Sequence, residues 1–219
     1  AIHLSNFGGT FLLNGATTTF GGMIDTTGPL TIDGAGSMTL TGANTYSGGT
    51  IVSGGATLAI ANDAAMGTGG LILDNGTLKL GGNFNLPNTP FIVMAAGGGT
   101  IDTNGFNSTI GQAIEGAGGL SKAGAGTLTL TGANTYQGMT TINGGTLAIS
   151  SNDPLASTSG LTINGGGTLQ VSSVASLNLP VTLNGAATFN VVGGADGLSL
   201  SGHVGGSGSL TKTGAGSLT

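Results

Sequence analysis

Eight carboxylates are the residues of this sequence most able to do chemistry. They are Asp25, Asp33, Asp63, Asp74, Asp102, Glu115, Asp153 and Asp196. Glycosidases need two carboxylates that face each other across a sugar, and calcium-dependent lyases need clustered aspartates with a basic residue. No two acids lie within two positions of each other, and the sequence contains no arginine. Most stand alone in Gly- or Asn-rich stretches, so we expect them to form turns rather than to catalyse a reaction. Asp25 and Glu115 are equivalent in the repeat described below, which favours a corner role.

Other residue types give no stronger signal for catalysis or metal binding. His3 and His203 are far apart and lack an HExxH context. No serine lies in a GxSxG sequence, no glycine-rich string continues into the Lys-Ser/Thr of a phosphate loop, and cysteine is absent. The stretch Gly193–Leu200 resembles a calcium-binding nonapeptide, but only once, whereas such sites need consecutive copies. We expect no enzyme activity, no cofactor and no bound metal.

The charge of the chain limits its partners. The only basic residues besides histidine are Lys79, Lys122 and Lys212, and the net charge is -5. Nucleic-acid binding depends on basic residues that neutralise phosphates, so we expect no nucleic-acid partner. The longest apolar run, Phe91–Ala96, is far shorter than the ~20 residues that span a bilayer. We therefore expect no direct membrane insertion of this segment.

A long repeat organises the sequence. The stretch Gly124–Gly145 has a near copy at Gly34–Gly55, and a third copy begins at Gly214, so the three starts are 90 residues apart. Such regular spacing is typical of a repeat array. We expect residues 1–219 to form a single β-helix segment of a longer chain, with repeats at 34–123 and 124–213 and partial copies at 1–33 and 214–219.

A shorter period lies inside the long one. Ser or Thr followed by an apolar-x-apolar triplet recurs at Thr10, Ser37, Thr57, Thr77, Thr127, Thr146, Thr168 and Thr188. Thr100 starts a weaker version, IDT, and Ser217 starts a truncated one. The intervals are 27, 20, 20, 23, 27, 19, 22, 20 and 29 residues, so four short units make one long repeat. Each triplet places two apolar side chains on one face of a strand. Such units, with glycine corners, predict an all-β fold, a parallel β-helix (β-solenoid) of about nine to ten coils of roughly 19–29 residues.

Stacking of the coils predicts columns of apolar side chains inside the rod. The predicted columns are Leu128, Leu147, Leu169 and Phe189; Leu130, Ile149, Val171 and Val191; and Met38, Leu58, Leu78 and Ile101. The longest units run into the GAG sequence and contain extra residues, which form either an additional strand or a corner. The following Gly-Ala-Asn-Thr-Tyr is expected to turn a corner of the coil.

Three surface features leave alternatives open. Tyr46 and Tyr136 could stack on sugars, but their identical placement after Asn44 and Asn134 favours a structural role. Lys122 and Lys212 align with Ile32, so a required charge is not expected at that position. Threonine arrays suggest an ice-binding solenoid, although Ala59, Lys79, Ala148 and Gln170 break the rows.

The stretch Gly118–Ser150 closely resembles the passenger-associated transport repeat of bacterial autotransporters. Its marks are the G-x-G-T-L-x-L-x-G-x-N-T-Y core and the following G-x-T-x-I-x-x-G-x-L, and Gly34–Ile60 matches with small departures. The motif positions are Gly34, Gly36, Leu40, Asn44 and Tyr46 in the first copy and Gly124, Gly126, Leu128, Leu130, Asn134 and Tyr136 in the second. The resemblance implies a right-handed parallel β-helix in an exported passenger, at the bacterial cell surface or outside the cell. It also implies a C-terminal outer-membrane β-barrel in the full-length chain.

These observations favour a structural stalk or scaffold that assists passenger folding and export, and that supports adhesion to host or neighbouring-cell surface molecules. The alternative is a carbohydrate- or host-surface-binding module. A polysaccharide-degrading enzyme and an ice-binding solenoid are the weaker alternatives.

Overall fold

The fold is a stack of short parallel strands. The computed structural model describes residues 2–3, 6–86, 89–150, 155 and 157–219. Within these ranges, the regular structure consists of strands and a 3-10 helix at Asp63–Met66. All the strand pairs described are parallel, and strands that pair are about one coil apart in the sequence. The predicted all-β solenoid is confirmed.

The strands are numbered in chain order. The first nine are β1 (Ile2–His3), β2 (Gly9–Leu12), β3 (Thr17–Phe20), β4 (Ile24–Asp25), β5 (Leu30–Asp33), β6 (Gly36–Leu40), β7 (Thr50–Ser53), β8 (Ala56–Ile60) and β9 (Leu71–Asp74). The next nine are β10 (Gly76–Leu80), β11 (Ile92–Met94), β12 (Gly99–Asp102), β13 (Ser108–Ile110), β14 (Ile114–Glu115), β15 (Leu120–Ala123), β16 (Thr127–Leu130), β17 (Thr140–Ile142) and β18 (Thr146–Ile149). The last nine are β19 (Leu161–Asn164), β20 (Thr168–Val171), β21 (Val174–Leu177), β22 (Val181–Asn184), β23 (Ala186–Val191), β24 (Gly197–Leu200), β25 (Val204–Gly206), β26 (Ser209–Thr213) and β27 (Ser217–Leu218).

The strands form three faces of a rod. Face 2 is a ten-stranded sheet in the order β3-β6-β8-β10-β12-β15-β17-β19-β22-β25. Face 1 contains β2-β5-β7-β9-β11-β14 in its lower part and β21-β24-β27 in its upper part. Face 3 contains β1-β4 below and β13-β16-β18-β20-β23-β26 above. Irregular segments fill the places on faces 1 and 3 where no strand is formed.

Residues that are 90 positions apart lie on different faces. β5 pairs with β2 and β7 on face 1, whereas its sequence equivalent β15 pairs with β12 and β17 on face 2. In the same way, β6 lies on face 2 and its equivalent β16 lies on face 3. The cause is β14, a strand that pairs with β11 on face 1 before the chain reaches β15. The extra residues before the GAG sequence therefore form an additional strand, and 90 residues make four turns plus one face.

The predicted apolar columns are present. Leu128, Leu147, Leu169 and Phe189 are in register on face 3, as are Leu130, Ile149, Val171 and Val191. Met38, Leu58, Leu78 and Ile101 are in register on face 2. All are buried.

One expectation about the stacking was wrong. Ser37, in β6, pairs with Thr17, whereas Thr10 pairs with Thr31 on another face. The predicted breaks in the threonine rows are present: Thr39, Ala59 and Lys79 are in register, as are Thr129, Ala148 and Gln170.

A second column on face 2 is unbroken. This Ser/Thr column follows the outside of the rod through Thr17, Ser37, Thr57, Thr77, Thr100, Ser121, Thr141, Thr162 and Thr182. Ala59 and Lys79 lie two positions further along their strands, in the separate column that contains Thr39.

Candidate functional site

The asparagine of each repeat motif connects neighbouring coils from inside the rod. Asn44 Oδ1 accepts a hydrogen bond of 2.7 Å from the Ile24 backbone N–H, one coil below. Its amide nitrogen donates a bond of 2.5 Å to the carbonyl of Ala65, one coil above. The side chain is buried, at 6% exposure. Because buried backbone groups need partners, one amide side chain here stabilises three successive coils.

The second copy repeats this geometry on a different face. Asn134 Oδ1 accepts a hydrogen bond of 2.8 Å from the backbone N–H of Ile114, and the side chain is also buried. Ile24 begins β4 and Ile114 begins β14, so both asparagines hold the short additional strand. The motif asparagine therefore fixes the segment that shifts the repeat by one face. We call Asn44 and Asn134 the asparagine clamps.

Each motif tyrosine points into the rod. Tyr46 and Tyr136 are 0% exposed. The Tyr46 hydroxyl lies 2.7 Å from the Thr50 hydroxyl, and the Tyr136 hydroxyl lies 2.7 Å from the Thr140 hydroxyl. Burial raises the pKa of both phenols well above the ordinary value. Neither ring is accessible for stacking on a sugar.

The segment that carries Asn and Tyr does not turn a corner as expected. Thr45 donates its backbone N–H to Ile24, and Ser47 donates to Thr26. Thr135 and Gln137 make the same kind of backbone bonds to the coil below. The segment therefore runs along a face as an irregular strand. Its inward residues are Asn and Tyr, whose side chains replace part of the regular ladder.

The apolar and glycine positions of the motif serve close stacking. Leu40, Leu128 and Leu130 are fully buried. Gly34, Gly36 and Gly124 have positive φ, at 79°, 133° and 78°. A Cβ at Gly126 would lie 1.6 Å from the carbonyl oxygen of Phe106 in the coil below, so no side chain fits there. The GAG sequence thus allows two backbones to approach at a corner.

Lys122 is buried in an apolar column. It lies in register between Ile101 and Ile142 on face 2, and it is 0% exposed. Its ammonium donates to the carbonyls of Ala123, Gly124 and Gly144, at 2.8, 2.8 and 3.1 Å. Burial lowers the pKa of Lys122 to about 8, and the nearby Asp102 carboxylate acts in the opposite direction.

The equivalent Lys212 lies near the end of the described chain. It is exposed, in register with Phe189, and donates to the Gly214 carbonyl at 2.6 Å. The alignment of both lysines with Ile32 was a sign in the sequence of an inward position, because Ile32 is buried.

The described aspartates mostly accept hydrogen bonds at corners. The bonds run from Ser53 to Asp33, from the Gly97 N–H to Asp74, from the Asn104 N–H to Asp102 and from the Gly193 N–H to Asp196. Asp25 and Glu115 are each the last residue of the additional strand, which is the position that Asp33, Asp74 and Asp102 occupy in their own strands. Asp63 is buried in the 3-10 helix. Asp153 lies outside the described residues.

The described residues provide neither a cluster of metal ligands nor a membrane-spanning helix. The described part of the chain holds no group of three or more His, Asp or Glu side chains placed to bind a metal ion. His203 is exposed. Of the residues that the structure places, none forms a helix long and apolar enough to cross a membrane.

The tyrosine partners were missed from sequence, although a signal was present. Thr50 and Thr140 both follow the motif tyrosine by four residues, at identical spacing in the two copies. The identical spacing of a phenol and a hydroxyl indicates a buried hydrogen bond once the tyrosine is assigned to the interior.

Comparison with known proteins places the same residues in a repeat family. Residues 30–60 and 120–149 match the family model of the passenger-associated-transport-repeat, and both ranges contain the whole Gly-to-Tyr motif. The chain is also 41% identical over 119 residues to the adhesin BmaC autotransporter of Brucella suis biovar 1 (strain 1330). That alignment covers 52% of this chain and 3% of the relative's length. No solved structure matches the chain. The matches support an autotransporter passenger segment with repeats.

Proposed function

We propose that this chain, with its two passenger-associated transport repeats, is a β-helical stalk in the passenger of an autotransporter-type surface protein. Its folding assists export, and its length supports adhesion. The observation that carries the proposal is the asparagine clamp, in which Asn44 ties three successive coils together and Asn134 makes the same bond to the coil below it. In this stalk, residues 34–123 and 124–213 are the two complete 90-residue repeats, with partial copies at 1–33 and 214–219.

The stack explains how folding can assist export without a local energy source. Each strand bonds to the strand of the neighbouring coil, and the apolar columns join side chains of adjacent coils. A coil can therefore fold as soon as its neighbour has folded. Each Leu, Ile or Val that becomes buried contributes about 1.5–3 kcal/mol. Outside the membrane, every added coil makes backward movement of the chain less favourable.

The asparagine clamps act at the same point of each repeat. The additional strands β4 and β14 are each two residues long, so they make few backbone hydrogen bonds to the neighbouring strand. Asn44 and Asn134 supply a side-chain acceptor to the first residue of each strand. We infer that coil addition depends most on the motif at these points.

The adhesive part of the proposal rests on the relative. That protein is named an adhesin, and the stretch similar to it spans about half of this chain. We infer a surface or extracellular location and a full-length chain that includes a C-terminal outer-membrane barrel. The aspartates at the corners and the buried tyrosines favour this scaffold over an enzyme or a tyrosine-based sugar site.

Two deletions of equal length test the export role. Removing residues 118–137 takes out twenty residues that contain the second motif, and it joins Ala117 to Gly138, which stacks directly on Gly118. Removing residues 162–181 also takes out twenty residues, in register, because Thr162 pairs with Thr182. In a full-length passenger, we expect the first deletion to reduce surface display more strongly than the second. Equal display of the two proteins would contradict the proposal.

A further inference from the structure

A groove follows the edge between faces 1 and 2. It has a volume of about 420 Å³, which lies in the range of ligand sites. Part of its floor is backbone, because Gly98 and Gly119 contribute no side chains. A Cβ at Gly119 would lie 2.4 Å from the Met139 carbonyl oxygen, so coil stacking itself requires this side-chain-free floor.

One wall of the groove is a row of hydroxyls. Thr77, Thr100, Ser121 and Thr141 come from four successive strands of the face 2 hydroxyl column. At the usual spacing of about 4.8 Å between strands, the row is about 14 Å long. In the described part of the chain, the hydroxyls of Thr77, Thr100 and Thr141 have no hydrogen-bond partner. Ser121 accepts a bond of 2.7 Å from Asn143 and keeps its own proton for a ligand.

The lining of the groove is uncharged. No Asp, Glu, Lys or His side chain is among the described residues that line it. Lys79 and Asp102 lie in the neighbouring column of face 2, where their charged atoms are 4.0 Å apart. The groove therefore offers no free cation for a phosphate, sulfate or carboxylate group.

Met139 adds an apolar surface to this wall. Its side chain is 49% exposed, and the Thr162 hydroxyl donates to its sulfur at 3.0 Å. A thioether side chain adapts to irregular apolar surfaces. The groove thus combines regularly spaced hydroxyls with one apolar contact.

We propose that this groove binds an uncharged oligosaccharide that lies along the rod axis, as one adhesive contact of the stalk proposed above. A neutral sugar chain carries hydroxyls that both donate and accept, and its rings have apolar C–H faces. These features match the hydroxyl row and Met139. A peptide is a poorer match, because strand addition needs an unpaired strand edge, whereas β10, β12, β15 and β17 beside the groove are paired on both sides.

An array of neutral and acidic oligosaccharides, probed with the purified chain, tests this proposal. The test variant is Thr100→Val with Thr141→Val, which removes two free hydroxyls and keeps side-chain shape and strand propensity. The control is Thr182→Val, in the same hydroxyl column but outside the groove. We expect retention of neutral glycans, a loss of about tenfold or more in the double variant, and no change in the control.

Three results would overturn the proposal: no neutral glycan retained, a preference for acidic glycans, or equal binding by the double variant. Thermal unfolding of all three proteins checks that the substitutions leave the fold intact. Surface display of the double variant separates this inference from the stalk function. If the original protein is displayed normally but retains no glycan, the groove alone is refuted, whereas the deletion pair described above tests the stalk.

Discussion

Replacing Lys122 by isoleucine changes how the stability of the rod depends on pH. Isoleucine is the residue at the equivalent position, Ile32, and Lys122 lies between Ile101 and Ile142 in its column. Burial lowers the pKa of the ammonium from 10.5 to about 8. This difference corresponds to about 3 kcal/mol between the charged and neutral forms in the folded chain.

The direction in which stability changes with pH follows from proton binding. Between pH 8 and 10.5, the unfolded chain keeps the Lys122 proton while the folded chain releases it. The unfolded state then binds more protons, so the free energy of unfolding rises with pH. From pH 7.5 to 9.5, we expect the original protein to gain about 2 kcal/mol relative to Lys122→Ile. The buried tyrosines titrate identically in both proteins, so their contribution cancels in the comparison.

Urea unfolding followed by far-ultraviolet circular dichroism at several pH values measures this difference. Lys79→Ile is the matched control, because it removes one positive charge from the outside of the rod, where the side chain is 39% exposed. We expect the free energy of unfolding to change with pH in parallel for the original protein and the control. Parallel curves for Lys122→Ile and the original protein would show that Lys122 is not held in the interior.

The clamp residues give two further predictions. Asn134→Ala leaves the buried Ile114 N–H without its acceptor, so we expect the free energy of unfolding to fall by about 1–3 kcal/mol. We also expect faster amide exchange at Ile114, with the exposed Asn143→Ala as control. Slow exchange at Ile114 in the variant would contradict the clamp. Tyr136→Phe removes only the hydrogen bond to Thr140, so we expect the free energy of unfolding to fall by about 0.5–1.5 kcal/mol. Tyr136→Ala also removes the ring, so we expect a fall of about 3–5 kcal/mol. Equal losses in urea unfolding would show that the ring is not packed in the core.

The coils and their apolar columns could be predicted from the sequence because both depend on local spacing. Strand side chains alternate between the inside and the outside, so Leu128 and Leu147, nineteen residues apart, must stack if each coil has that length. The repeat motif also identified Asn134 and Tyr136 as structural residues. The partner of Asn134 could not be assigned, since Ile114 belongs to the preceding turn of the chain, whereas the partner of Tyr136 is Thr140, only four residues away.

The phase of the repeat could not be predicted. Sequence equivalence shows that Leu30 and Leu120 match, but it does not show on which face each lies. The two-residue strand β14 places them on different faces, and such a short strand has no pattern of its own. The same shift hid the unbroken hydroxyl column. A uniform 90-residue alignment therefore finds the residues that resemble each other but not the residues that touch.

The shift also determines how a longer array presents its surface. If each 90-residue unit advances by one face, three units return a motif to its starting face. Equivalent outward residues of successive repeats would then lie around the rod rather than in one line.

The rate at which passenger reaches the cell surface tests the central claim most directly, namely that coil stacking at the repeat motif drives export. Pulse-labelled cells that produce the full-length passenger are treated with external protease at successive times, for the original protein and for the deletions of residues 118–137 and 162–181. We predict that removal of the motif coil slows the appearance of surface-exposed passenger several-fold, while removal of the control coil leaves the rate nearly unchanged. Export of the 118–137 deletion at the original rate would contradict the claim.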